Sequence, residues 1–199
     1  MHEPPVIRAF IAINLSAEIR LGLERVTSQL KQRLVGVPIR WIAANNIHLT
    51  LKFLGNVSWA NQRLLEEILQ AEISAHEAFE LSVGGLGAFP TLHLPRVIWV
   101  KVTSTPGLIA IQRRIEAETT RLGYNREERL FSPHLTLGRV SRIASPQDLQ
   151  LISEVIKTSD VGFLGALSVN AVSLYRSELK PGGAVYTELF KALLAPAAV

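Results

Sequence analysis

Cysteine is missing from all 199 residues. Disulfides, thiolate zinc sites and cysteine nucleophiles are therefore excluded, and the composition fits a reducing compartment. Long apolar runs are missing too: no window approaches the 18 or so uninterrupted apolar residues of a membrane span. Charge is sparse, at 19% of residues against 48% hydrophobic, which is the composition of a globular chain and not of a disordered one. The opening MHEPPVIRAFIAINL carries Glu3, two prolines and Arg8 inside its apolar run, and makes a poor signal peptide. These absences lead to the expectation of a soluble, cytoplasmic protein.

What charge there is leans basic. Lys plus Arg number 21 against 17 Asp plus Glu, a net charge of +4. That excess suits an anionic substrate such as a nucleotide or an RNA end, and falls short of the clustered basic stripes that grip a long duplex. No His, Asp and Glu combination has zinc-ligand spacing, and GGLG at 84–87 lacks the lysine and following helix of a phosphate-binding loop. No metal and no cofactor is expected.

Periodicity divides the chain into alternating strands and helices. VIRAFIAIN reads as a strand, and Ser16 then caps a helix over 17–34 with Ile19, Leu23, Val26, Leu30 and Leu34 on one apolar stripe. VPIRWI and HLTLKFLG read as strands, and Ser58 opens a second helix to about His76. FELSVGGLGAF and RVIWVKV give two more strands; a third helix starts at Thr105-Pro106 and stops at Gly123. A second HLTLGRV strand follows, then a helix from Pro146. The segment VGFLGALSVNAVSLYRSEL gives one long or two short strands, and the glycine pair in KPGGAVYTELF a hairpin turn. Most connections are too short for parallel crossovers throughout, which predicts α+β with antiparallel sheets. Strand, helix, strand, HLTL strand, helix over 6–76 is echoed by strand, helix, HLTL strand, helix over 96–157, so a pseudo-duplicated, two-lobed single domain over 1–199 is expected.

His-Leu-Thr-Leu itself is written twice, at His48 and at His134. Alternate side chains of a strand share a face, so His48 and Thr50 point one way, as do His134 and Thr136, while the leucines point to the core. Imidazole gives or takes a proton near neutral pH, and the threonine hydroxyl can hydrogen-bond a phosphate oxygen. Two such strands brought together supply an acid, a base and two oxygen clamps, a set suited to in-line transfer at a phosphodiester or cyclic phosphate. One copy is weak evidence; the pair is specific. By the same parity Lys52 joins His48 and Thr50 as a candidate to add charge to the cleft, with a solvent-facing lysine at the strand's end the competing role. Phe53 and Phe131 flank the motifs as core or cleft wall. His2, His76 and His93 have no threonine partner and are expected at the surface.

With both motifs in view, the sequence resembles the two-histidine (2H) phosphoesterase superfamily and, within it, the RNA 2′,3′-cyclic phosphodiesterases also called 2′-5′ RNA ligases. VIRAFIAINL, IRWIAANNIHLTLKFLG, FELSVGGLGAFP, PRVIWVKV, FSPHLTLGRV and VSLYRSELKPGGAVYTEL are similar to that family's blocks almost end to end. The resemblance implies a bilobal, pseudo-twofold fold with the cleft between two antiparallel sheets, each carrying one motif. It implies opening of a 2′,3′-cyclic phosphate end of RNA to a 2′-phosphate without metal, with His48 as proton donor, His134 as proton acceptor, and Thr50 and Thr136 on the phosphate. Arg139 matches a basic position after the family's second motif. Strict alternation sets it opposite to His134, so it reaches the phosphate only through a bulge or the strand's end. Tyr175 and Arg176, in the C-terminal block, are candidates to hold a base or ribose, with structural packing the competing role for Tyr175. The same site run backwards implies ATP-independent 2′-5′ ligation; a module that binds nucleotides or RNA ends without turnover is the alternative. The partner expected is an RNA end, and the protein itself a monomer.

Overall fold

The computed structural model describes residues 6–181 and 183–196. Among the described residues nine strands form two antiparallel sheets. Sheet A runs in the order β3-β1-β8-β9, from β1 (Val6–Ile13), β3 (Leu49–Ser58), β8 (Ala171–Lys180) and β9 (Gly183–Leu193); sheet B runs β2-β6-β5-β4-β7, from β2 (Ile39–Trp41), β4 (Phe79–Pro90), β5 (Pro95–Val102), β6 (His134–Val140) and β7 (Phe163–Val169). The expected α+β class is thus observed, with the first HLTL strand in one sheet and the second in the other. The segment VGFLGALSVNAVSLYRSEL is two strands, β7 and β8. Lys180 pairs with Gly183 at the last hairpin; Gly182 lies outside the described residues, as does His2.

Helix starts follow the chemistry of their caps. Ser16, Ser58, Thr105 and Ser145 each accept a hydrogen bond from the backbone N–H three residues on, opening α1 (Ala17–Arg33), α2 (Trp59–Ser74), α3 (Pro106–Arg121) and α4 (Pro146–Thr158). Ser145 and Asp148 complete a capping box. At the end of α3, Gly123 takes a φ of 91°, which side chains disfavour. The five apolar positions expected on α1 are all buried. Among the described residues no helix is long and apolar enough to cross a membrane.

The helices interlock the two sheets. α2 packs on β3, β8 and β9 of sheet A, and α4 on β4 and β5 of sheet B, each on the sheet that holds the strand before it. The other two cross over. α1 leaves sheet A and packs on β7 of sheet B, where Ile19 and Gly22 meet Gly165 and Leu164; α3 leaves sheet B and packs on β3 of sheet A. Arg33 of α1 ties down the end of α4 through the Thr158 and Ser159 hydroxyls at 2.6 and 2.7 Å. One continuous apolar core runs through both sheets, from Ile11 and Leu49 to Leu135 and Leu137.

Strict alternation breaks just after the threonine in each HLTL strand, and a second time in β3, at Leu54. Ala12 faces Thr50 and Ile11 faces Lys52, so Leu51 is an extra, unpaired residue. Trp99 faces Thr136 and Ile98 faces Gly138, so Leu137 is its counterpart. Each β-bulge reverses the parity of the residues beyond it. Lys52 therefore does not join His48 and Thr50: it lies on the core side with Ile11, 5% exposed, and the expectation of a cleft lysine is corrected. Its ammonium donates to Glu116 Oε1 of α3 and to the Asn125 carbonyl, both at 2.6 Å. The same Oε1 accepts the Glu127 N–H at 2.9 Å. This buried pair holds β3 to the segment that leads into His134.

Removal of one partner from a buried ion pair strands the other charge, at a cost of about 3 to 5 kcal/mol. Lys52→Met is therefore expected to lower unfolding stability by about 3 kcal/mol, the low end because Glu116 keeps 15% of its side chain exposed. Lys52→Met with Glu116→Gln recovers most of the loss. Urea unfolding of both variants checks this; equal stability of the single variant and the parent would show that the pair contributes nothing.

Candidate active site

The open face of sheet A is aromatic around the first motif. Phe10 on β1 stacks on His48 at 4.5 Å between centroids and on Tyr175 at 5.3 Å, and Tyr186 of β9 stands edge-on to both Phe10 and His48. Ala12, fully buried across from Thr50, is small enough to leave the imidazole room. A 3-10 turn over Ala44–Asn46 delivers His48 to the strand, and the Asn46 side chain pins that turn by donating to the Ala184 carbonyl at 2.9 Å.

Sheet B repeats the arrangement with different neighbours. His134 lies across from Lys101, Thr136 across from Trp99 and Arg139 across from Val97. Lys101, Trp99 and Val97 alternate on one face of β5, so the Leu137 bulge brings Arg139 to the face of His134 and Thr136. The bulge that Arg139 required is present. Phe89 stands edge-on to His134 at 4.8 Å, and the Trp99 ring lies so close over β4 that a Cβ at Gly87 would fall inside it. That explains one glycine of GGLG: it makes space for an indole. β3 and β6 lie beside each other where the two sheets meet. His48, Thr50, His134, Thr136 and Arg139 are thereby gathered on the open faces.

The electrostatics of the two imidazoles match. Burial pulls His48 down from 6.5 to about 4, opposed by a hydrogen bond to the Asn46 main chain. His134 is lowered as well, by burial first, against the hydrogen bond of its Nδ1 to the Ser132 carbonyl at 2.7 Å and helped by the nearby Arg139 charge. A carbonyl accepts only from a protonated nitrogen, so Nδ1 of His134 carries the hydrogen and Nε2 of the neutral ring keeps a free lone pair. Each histidine is thus held from the main chain two residues before it. Neither the Thr50 nor the Thr136 hydroxyl has a hydrogen-bond partner among the described residues. No group of three His, Asp or Glu there is arranged to hold a metal ion.

Two further candidates fare differently. Tyr175 is 9% exposed, its hydroxyl donates to Glu188 at 3.1 Å, and its ring backs Phe10, so it packs the floor beneath the site. Arg176 is a correction. It is the next residue of the same strand and faces the opposite way, across from the core residue Ala9, with its guanidinium on Glu178 at 2.8 Å. Adjacent strand residues cannot both enter one cleft. The reading of the sequence missed Arg8, Arg40, Lys101 and Tyr186, which register sets on the open faces: Arg8 two residues before Phe10, Arg40 across from Arg139, Lys101 across from His134. Alternation from Phe10 could have found Arg8; the others needed the pairing.

A depressed histidine makes stability depend on pH. Between about pH 6.5 and about pH 4 the unfolded chain binds a proton that folded His48 refuses, so stability falls as pH falls through that window and is complete above it. His48→Gln is expected to lose less stability than the parent between about pH 7 and about pH 4.5. Parallel urea titrations at the two pH values measure the difference; identical losses would contradict the burial of a neutral ring.

The comparisons with known proteins agree with this geometry. Residues 16–181 match the model of the 2′-5′ RNA ligase superfamily. A Methanothermobacter thermautotrophicus protein called RNA 2′,3′-cyclic phosphodiesterase is 33% identical over 92% of this chain and 96% of its own. An Escherichia coli protein of the same name is 32% identical over 95% and 96%. Among solved structures, E. coli LigT in complex with 3′-AMP superposes with a TM-score of 0.77 at 28% identity, covering 96% of this chain and 99% of LigT. From the paired motifs, the two-sheet fold and this end-to-end similarity, the chain belongs to the 2′-5′ RNA ligase superfamily.

Proposed function

We propose that the protein hydrolyses 2′,3′-cyclic phosphate ends of RNA to 2′-phosphates, with two histidines as the acid and base. The observation that carries this reading is one His-x-Thr set on the open face of each sheet, with the bulge at Leu137 adding Arg139 to the second. The relatives called RNA 2′,3′-cyclic phosphodiesterases support the substrate. In the reaction, His134 Nε2 takes the proton of a water as its oxygen bonds to phosphorus. The bond from phosphorus to O3′ breaks in line, and His48 gives O3′ a proton, leaving the phosphate on O2′. Thr50, Thr136 and Arg139 bind the non-bridging oxygens, whose charge grows in the transition state.

The lowered imidazoles shape how the cycle begins. Near neutral pH both rings are neutral in the free protein, which has two bases and no acid. The phosphate restores the acid, since an anion beside His48 favours the protonated ring. Run in reverse, with a 5′-hydroxyl in place of water, the same groups join two RNA ends through a 2′-5′ linkage without ATP.

His48→Ala and His134→Ala are each expected to lower kcat by roughly 10² to 10⁴-fold with the circular dichroism of the parent. Mass and phosphate position of the product, measured in chelator on a short RNA with a cyclic end, check the reaction: a 3′-phosphate product, or parental rates in both variants, contradicts the assignment. The pH profiles carry a sign. kcat/KM reports the free protein and is expected to decline already from below about pH 6.5, because the acid must be protonated and its pKa is depressed. kcat reports the complex and holds to higher pH. Coincident profiles would mean that the phosphate does not recharge His48.

A further inference from the structure

Hydrolysis asks for nothing but a water on the His134 side of the cleft, yet the open face of sheet B beyond His134 is equipped for more. The strand order there is β6-β5-β4-β7, so a line leaving His134 crosses Lys101, then the bulged glycines Gly84 and Gly85, and ends at Phe163. Lys101 is exposed and makes no hydrogen bond and no ion pair among the described residues. Phe163 is 72% exposed. Its side of the sheet is fixed by its neighbours: Leu81, Val83, Leu167 and Val169 are buried, while Gly84 and Phe163 face each other on the open side beyond a bulge at Leu164. Two glycines of GGLG hold it there. A Cβ at Gly84 would collide with the Gly162 carbonyl oxygen, and Gly85, at a φ of 77°, donates its N–H to the Val161 carbonyl at 2.7 Å. The start of β7 is thereby drawn onto β4, and no side chain stands between Lys101 and Phe163.

The in-line requirement says what fits this face. In the proposed reaction the departing O3′ and its ribose are on the His48 side, so the attacking oxygen comes from the His134 side, and whatever is attached to it extends over sheet B. Water has nothing attached. A 5′-hydroxyl has an RNA strand, with a phosphodiester after its first nucleoside and bases that stack on exposed aromatic rings. An unpaired ammonium lies one strand from His134 and a bare phenyl ring three strands away, about 14 Å at the spacing of neighbouring strands, which is the order such a strand requires. We propose that the open face of sheet B holds an acceptor RNA strand with a 5′-hydroxyl, Lys101 pairing with its first phosphodiester and Phe163 stacking on a base. Its O5′ bonds to phosphorus as His134 Nε2 takes the proton, the bond to O3′ breaks, and His48 protonates O3′, leaving O2′ joined to O5′ through the phosphate. No further reactant is needed, because the bond that breaks belongs to the cyclic phosphate itself. The inference rests on the reaction proposed above and assigns the residues that divide a cyclic end between water and a second strand.

The initial ratio of joined to hydrolysed product tests it. The donor is UpU ending in a 2′,3′-cyclic phosphate, and two acceptors are compared at equal concentration: uridine, which has a 5′-hydroxyl and no phosphodiester, and UpUpU with a free 5′-hydroxyl. The parent is expected to give a ratio about tenfold or more higher with UpUpU, the effect of one charged hydrogen bond. That preference falls with rising salt, as a phosphate contact requires. Lys101→Gln brings the two acceptors close together and removes the salt dependence. Phe163→Ser lowers the ratio for UpUpU by roughly fivefold or more, the effect of one stacked base, while the hydrolysis rate without acceptor and the thermal unfolding midpoint stay those of the parent. A parent that hydrolyses the donor and joins neither acceptor, equal ratios for the two acceptors, or ratios untouched by both variants overturn the acceptor site and leave the hydrolysis standing. A parent that does not hydrolyse the donor overturns the reaction, and the acceptor site with it.

Discussion

Which residues follow threonine onto the open face of each motif strand depends on one unpaired leucine. A strand of strict period two presents His, Thr and every second residue after them to the same side, and in both HLTL strands the sequence beyond threonine fits that pattern badly. Continued alternation would put Lys52 in the cleft of one strand and Gly138 in the cleft of the other, with Phe53 and Arg139 turned toward the core. The bulges at Leu51 and Leu137 exchange these positions. An extra residue in one strand lets two successive side chains point inward, here Leu51 with Lys52 and Leu137 with Gly138. The core side takes Lys52 and Gly138 beside a leucine that already faced it, and the cleft gains Phe53 and Arg139.

The inward lysine then has to be compensated. An ammonium taken out of water is tolerated only beside a matching charge with good geometry, and Glu116 together with the Asn125 carbonyl supplies it. This compensation is possible because α3, which leaves sheet B, packs beneath sheet A. The helix crossing that interlocks the sheets thus also provides the carboxylate, and the segment running from α3 to His134 is fastened to the strand that carries Thr50. Gly138, at the equivalent place in β6, needs no such partner: Ile39 and Trp41 come within about 3 Å of where its Cβ would be.

Much of this was legible locally. Serine and threonine caps, the apolar stripe of α1, the glycine after α3 and the paired His-x-Thr signature all depend on residues within a few positions of one another, and they are found where the sequence puts them. Lys52, Arg139 and Arg176 were harder, for different reasons. Whether a strand bulges is decided by the register of its neighbour, β1 for one motif and β5 for the other, and nothing near Lys52 or Arg139 announces it. Arg176 was legible and misjudged, since its neighbour Tyr175 already claimed the open face. The crossing of α1 and α3 to the opposite sheets has no local signal at all, being a property of how the two halves enclose one core.

A pseudo-twofold cleft would bind a phosphate equally well in two orientations, yet a cyclic phosphate must be opened on one chosen side. The broken symmetry supplies the choice. Around His48 the neighbours are the rings of Phe10, Tyr175 and Tyr186, with Phe53 beyond Phe10; around His134 they are Phe89, Trp99, Lys101 and Arg139, with Arg40 across from Arg139. On the proposed reaction, the cationic side favours the oxygen that is losing a proton, and the aromatic side the ribose whose O3′ leaves phosphorus. On the proposed reading, the same electrostatics that lower His134 through Arg139 keep it a base, while His48, burdened only by burial, is the ring whose proton a bound anion can restore. Direction in this cleft therefore comes from what surrounds two identical motifs, not from the motifs themselves.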